Sequence, residues 1–225
     1  MSEWDFSRVE VRQLGRRHGR SAVLRGVNLT MEAGTVTGLM GPNGAGKSTL
    51  LGILSTLMAP TRGEIVLGSH VIREGHAPAG LRARIGFLGH SSGLYDDLSA
   101  TENLALFARL AGVDEEDVER RASEAIQEVG LGAVGERRVK YFSRGMVQRL
   151  ALGRLIVTSP RLWLLDEPTT GLDEDSVRAL EGLLLSRKSA GDIVLVVSHD
   201  AHFLERVSDR VLRLKSGRIA PEEVA

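Results

Sequence analysis

The run GPNGAGKST, Gly41 to Thr49, decides how the rest of the chain is read. It follows TVTGLM (Thr35 to Met40), which has strand character, and leads into STLLGILSTLMAP (Ser48 to Pro60), a helical stretch expected to stop at Pro60. Strand, glycine-rich loop and helix in that order are the context in which G-x-x-x-x-G-K-[ST] forms a phosphate cradle. Glycines let the backbone curl until successive N–H groups point inward, and the helix that follows adds the positive end of its dipole. The whole loop is therefore assigned to nucleotide binding: Gly41, Pro42, Asn43, Gly44, Ala45, Gly46, Lys47, Ser48 and Thr49. Lys47 would reach the β- and γ-phosphates, and the Ser48 hydroxyl would ligate Mg²⁺. The glycine spacing differs from G-x-G-x-x-G, so a dinucleotide site is not supported.

A second stretch, LWLLDEPTTGLDEDS (Leu162 to Ser176), ends an apolar run on two adjacent carboxylates, Asp166 and Glu167. A charge beside four large apolar residues needs a partner such as a metal ion or a donor. With a phosphate loop in the same chain, the simplest reading is a buried parallel strand that delivers acids to its C-terminal edge. Asp166 would hold Mg²⁺ through water, and Glu167 would polarise the attacking water as general base or orienter.

Around these motifs the chain alternates strands and helices. SRVEVRQL and AVLRGVNLTMEAG read as short strands split by glycine, and GEIVLGSHVI as a strand pair. From about Arg82 to Leu155 the text reads as nearly all helix. SATENLALFARLAG opens with Ser99 and has Glu102 three residues on, a capping box, and DEEDVERRASEAIQEVG is amphipathic up to Gly130. After Arg161 the alternation returns and closes on a hairpin, RVLRLKSGRIA. This predicts an α/β fold: a parallel sheet with helices on both faces, an N-terminal antiparallel β-subdomain and an inserted helical subdomain. The expected segments are a core in 1–83 and 156–225 and a helical insert in 84–155. The 29 basic and 29 acidic residues cancel, so charge gives no argument for nucleic acid as a partner. No cysteine is present, which excludes disulfides and thiolate chemistry. The opening MSEWDFSRVE is not a secretory signal, and no apolar run approaches the ~20 residues of a membrane span. Membrane contact is expected only through a partner.

With these motifs in this order, the chain resembles an ATP-binding subunit of an ABC transporter, nearly end to end. YFSRGMVQRLALGRLIV (Tyr141 to Val157) stands where that family carries its signature, usually LSGGQ; Ser143 and Gly145 match, while Phe142, Arg144 and Met146 depart. The resemblance implies that this loop caps the γ-phosphate of an ATP held by the opposite subunit, in keeping with the anion-binding chemistry of a helix N-terminus. TTGLDEDS resembles the family's D-loop, which places Asp173 at the subunit interface. IVLVVSHD resembles its switch strand, with His199 on the γ-phosphate. The implied catalytic set is Glu167, His199 and Lys47, with ATP and Mg²⁺ as cofactors and Ser48, Asp166 and His90 around the metal. The implied assembly is a sandwich dimer, of identical or paired cassettes, seated on transmembrane permease subunits at the cytoplasmic face of the membrane.

Two positions depart from the family. His90 stands where a Gln contacts Mg²⁺, and His18 stands where an aromatic, often Tyr, stacks on adenine. An imidazole can stack; the alternative for His18 is an exposed loop residue. The arginines beside it (Arg12, Arg16, Arg17, Arg20) read most simply as a solvated edge, with phosphate contact as the alternative. FLGHSSGLYDDLSATENL resembles the ATPase of the bacterial cytochrome c maturation haem exporter. The alternatives are the ATPase of a drug, lipid or polysaccharide exporter, and a weakly hydrolysing regulatory module. A ribosome-acting ABC ATPase would carry two cassettes, and a DNA-repair one a long coiled coil.

Overall fold

Strands β1 (Arg8–His18) and β2 (Ser21–Glu32) form a long antiparallel hairpin in the computed structural model of the chain, which describes residues 3–220. The expectations that touch residues 1–2 and 221–225 lie outside the described residues. These strands are longer than the glycine-split segments expected. Gly15 and Gly26 sit inside them, and register shifts on either side of Gly15 absorb the irregularity. Strand β3 (Thr35–Met40) leads to α1 (Lys47–Leu54), then come β4 (Arg62–Leu67), β5 (His70–Ile72), a turn of helix α2 (Ala79–Arg82) and β6 (Ile85–Leu88). Helices α3 (Ala100–Leu110), α4 (Glu115–Glu128) and α5 (Arg144–Thr158) follow. The chain then runs through β7 (Leu162–Asp166), α6 (Glu174–Ser189), β8 (Ile193–Val197), α7 (Ala201–Val207), β9 (Arg210–Lys215) and β10 (Arg218–Ile219).

Two sheets result. One is antiparallel in the order β2-β1-β4-β5; the other runs β10-β9-β3-β8-β7-β6, parallel apart from the terminal β9–β10 hairpin. That hairpin turns through Ser216 and Gly217, both at positive φ, the geometry that matches strand twist. The parallel sheet is buried on both faces, as its continuous apolar strands require. Along β8 the residues alternate between two cores. Val194 and Val196 join the helices α3 to α7, whereas Ile193, Leu195 and Val197 join α1 and the antiparallel sheet. Along β7, Trp163 and Leu165 take the first face and Leu162 and Leu164 the second. Period two then sends Asp166 to the face that carries α1.

Two expectations need correcting. Ile85–Leu88, inside the stretch expected to be helical, is a strand paired in parallel with Leu162–Leu165 of the core sheet. Its four residues are too few for periodicity to separate a buried strand from a helix end. Helix α1 stops at Leu54, not at Pro60: Thr56 takes φ 60, and the Met58 amide returns to the Gly52 carbonyl at 2.9 Å. A left-handed residue ends a helix without help from proline.

The capping box of α3 is present in full. The Glu102 amide donates to Ser99 Oγ at 3.1 Å, and the Ser99 amide donates to Glu102 Oε2 at 2.7 Å. Ser99 is buried, so its oxygen is not replaced by water on truncation. Ser99→Ala should cost about 1 kcal/mol and lower the thermal midpoint by roughly 2–4 °C for a chain of this size. An unchanged midpoint by circular dichroism would mean the cap is energetically idle.

Candidate functional site

The phosphate loop is built where β3 ends. Gly44 and Gly46 take φ of 78° and 108°, which side chains resist. A Cβ on Gly46 would also meet Leu24 Cδ2 at 2.8 Å, so the loop is pressed onto β2. The Ala45 amide closes the turn on the Pro42 carbonyl at 3.1 Å, and α1 starts at Lys47 with its first amides open toward the loop. Lys47 folds back over the loop: Nζ donates to the Gly41 carbonyl at 2.6 Å and to that of Pro42 at 3.3 Å. Pro42, Asn43, Gly44 and Ser48 face solvent, Gly41, Lys47 and Thr49 are half-buried, and Ala45 and Gly46 are buried. Glycine-rich backbone at a helix start, beside one poised ammonium, is chemistry suited to a polyphosphate.

The acids stand one strand away. Asp166 is 5% exposed, and the His90 imidazole stands near it, with Nε2 at 3.8 Å from Oδ2, too long for a hydrogen bond. A nearly dry carboxylate with no hydrogen-bond donor is poised for a cation. The set of one carboxylate and one exposed Ser48 hydroxyl suits a hard ion that keeps water and phosphate oxygens, as Mg²⁺ does.

Glu167 adopts φ 51, rare for a residue with a side chain, held by its amide on the Val197 carbonyl at 2.9 Å. Its Oε2 receives His199 Nδ1 at 2.8 Å and the His199 amide at 3.3 Å. An ionised carboxylate only accepts, so in this contact Nδ1 is the donor. Glu167 and His199 are thereby brought together from the ends of adjacent strands, β7 and β8. His18 ends β1 and is exposed at the hairpin tip.

The remaining site residues lie at two helix starts. Ser143 caps α5, its Oγ accepting from the Met146 amide at 3.3 Å, and Asp173 caps α6, accepting from the Ser176 amide at 2.8 Å. Hydrogen bonding from the Ser176 side chain, and next from this amide, holds the Asp173 carboxyl below the usual carboxylate range. A Cβ on Gly145 would meet the Gly171 carbonyl at 2.7 Å, so the two loops touch. Gln148, to which the sequence assigned no role, ties them further: its amide donates to the Pro168 carbonyl at 3.0 Å. A cleft of about 400 Å³ is lined by His90, Phe142, Arg144, Gln148, Asp166 and Glu167. Among the described residues no hydrogen bond joins Ser143 or Gly145 to the Gly41–Thr49 loop of the same chain.

The chain is similar to known proteins along most of its length. The family described as ABC transporter matches residues 24–170. A cytochrome c biogenesis ATP-binding export protein of Cupriavidus metallidurans is 40% identical over 191 residues, 85% of this chain and 89% of that protein. A daunorubicin resistance ATP-binding protein of Streptomyces coeruleorubidus is 38% identical over 218 residues, 93% of this chain but 66% of that protein's length. Among solved structures, a dimeric ATP-binding cassette in a post-hydrolysis state with ADP and Pi superposes with a TM-score of 0.82 at 28% identity, covering 96% of this chain and 97% of that one.

Proposed function

This chain is an ATP-binding subunit of the ABC transporter family, an ATPase, and from that premise we propose that it powers an exporter by ATP-driven pairing of two cassettes. The observation that carries the reading is the contact of Glu167 with His199 beside a lysine-bearing phosphate loop. Phosphoryl transfer to water asks chiefly for charge neutralisation and a positioned nucleophile. Lys47 neutralises the γ-phosphate, Glu167 orients the water, and His199 holds Glu167 while presenting Nε2. Ser48 and Asp166 hold Mg²⁺, which supplies further neutralisation when bound, and His90 lies beside Asp166. His18 lies beside the adenine. The site is completed by Ser143 and Gly145 of a second cassette, a reading supported by the likeness to a dimeric ATP-binding cassette. Asp173 faces the same junction.

No described helix is long and apolar enough to cross a membrane, so the spanning is assigned to separate permease subunits, with this chain on their cytoplasmic face. The cargo is assigned to haem or another component of cytochrome c maturation. Support comes from His90 in the segment that departs from the family, and from the 40% identity to a cytochrome c biogenesis export protein. Drug export is the second reading, favoured by the 38% identity to a daunorubicin resistance protein. Tagged Glu167→Gln protein, loaded with ATP, should retain a polytopic membrane protein from detergent-solubilised native membranes, together with haem absorbance. Recovery of only soluble partners would sink the transport reading. A membrane partner without haem-handling proteins would move the cargo to the drug class.

A further inference from the structure

Antiparallel register sets Gly15 opposite Arg25 on β2 and opposite Arg62 on β4. Directly opposed residues share one face of a sheet, with neighbouring strands ~4.8 Å apart. Two arginines therefore flank a position that has no side chain, making a notch. Arg62 leans over it: a Cβ on Gly15 would meet Arg62 Cγ at 2.6 Å and Nε at 2.7 Å, and one on Gly26 would meet Nη2 at 3.4 Å. Arg16, Arg17 and Arg218 join this pair around a cavity of about 280 Å³ that includes Gly15 in its lining.

Five arginines line this cavity, and no carboxylate is among its lining residues. Arg12, on the same strand, pairs with Glu10 and Glu64. Among the described residues none of the other five is ion-paired with a carboxylate. Arg16 gives Nη1 to the Ala59 carbonyl at 2.7 Å while its Nε is buried with no partner, and Arg17 gives Nη2 to the Arg20 carbonyl at 2.7 Å. The chain as a whole balances, 29 basic against 29 acidic residues, so this excess of arginine is local. A merely solvated edge would splay its arginines outward; here Arg62 folds over the notch and Arg16 buries part of its head. No residue of the Gly41–Thr49 loop lines the cavity, so it stands apart from the phosphate loop. The patch is confined to one concavity with no aromatic stacking platform in its lining, which favours a small anion over a nucleic-acid strand. Guanidinium forks match phosphate oxygens in pairs.

We propose that this arginine-lined notch binds a multiply charged, phosphate-bearing anion at a site separate from the Gly41–Thr49 loop. The test is calorimetric titration of inorganic pyrophosphate into Lys47→Ala protein, which removes competition from the phosphate loop. Saturable binding that weakens with salt is expected. Arg25→Gln combined with Arg62→Gln should reduce affinity about tenfold or more, since each removes a charged hydrogen-bond donor. Gly15→Ala removes no charge but sets a Cβ 2.6 Å from Arg62 Cγ and so displaces that side chain; it should weaken binding by roughly threefold or more through lost fit. Thermal midpoints verify that each variant is folded. No saturable binding, or binding that survives the double arginine variant, overturns the proposal. On the Lys47 background, the same double variant should keep the KM for ATP within about twofold; a parallel rise in KM would merge the notch with the nucleotide site and also overturn it. Cosedimentation with phosphatidic acid vesicles, abolished in the double variant, would assign the phosphate to a lipid headgroup. Pyrophosphate binding without vesicle binding would assign it to a soluble molecule.

Discussion

Replacing Glu167 by Gln should abolish steady-state ATP turnover, by about 10²- to 10⁴-fold in kcat, while nucleotide affinity stays within a few-fold of the parent. The substitution keeps the shape of the side chain and alters its charge and basicity. The backbone strain at φ 51 is the same for either residue, so the turn between β7 and α6 has no new reason to relax. A Gln carbonyl at the place of Oε2 still accepts from His199 Nδ1 and from the His199 amide, the contacts now at 2.8 and 3.3 Å. What is lost is the carboxylate that would orient and take a proton from the attacking water. Because ATP is then held without being consumed, the closed pair of cassettes should accumulate, visible as an ATP-dependent dimer in light scattering. Phosphate release within twofold of the parent would remove Glu167 from the reaction. Slow turnover without an ATP-dependent dimer would keep Glu167 as the base but sink the closure mechanism.

How much of this was legible in the sequence depends on the distance over which each signal acts. The phosphate loop was legible because its geometry is local: glycines, lysine and helix start lie within nine consecutive residues, Gly41 to Thr49. The parallel sheet was legible from the continuous apolar runs of β7 and β8, which only a sheet buried on both faces requires. Strand β6 was not, because IGFL carries no period and sits between a turn and a helical stretch. The pairing of Glu167 with His199 spans 32 positions, so the residues could be nominated but not their contact. The arginine notch was half visible. Arg16 and Arg17 are adjacent in the text, but Arg25, Arg62 and Arg218 reach them only through cross-strand register and packing, which a single sequence does not state. Gln148 was missed for the same reason: its bond to Pro168 crosses 20 positions, and no local pattern marks it.

Lys47→Ala should fail at an earlier step than Glu167→Gln, and the contrast separates binding from chemistry. In the folded chain the Lys47 ammonium is already held over the loop by the carbonyls of Gly41 and Pro42, at 2.6 and 3.3 Å. Pre-positioning of this kind lowers the ordering cost that a flexible lysine otherwise carries into a complex. Removing it takes away one charged hydrogen bond to phosphate, commonly about 1.5–3 kcal/mol, or roughly 10- to 100-fold in nucleotide affinity at matched Mg²⁺ and salt. The cradle itself should survive. The left-handed glycines 44 and 46, the Ala45–Pro42 turn and the packing of Gly46 on Leu24 involve no atom of the lysine side chain. The thermal midpoint without nucleotide should therefore change little, while stabilisation by added ATP, which scales with affinity, should largely vanish. Fluorescent-nucleotide titration and thermal shift read both effects on one sample. Unaltered affinity and turnover would mean the Gly41–Thr49 loop holds no phosphate. Lost affinity with a collapsed midpoint would instead assign Lys47 to holding the loop together.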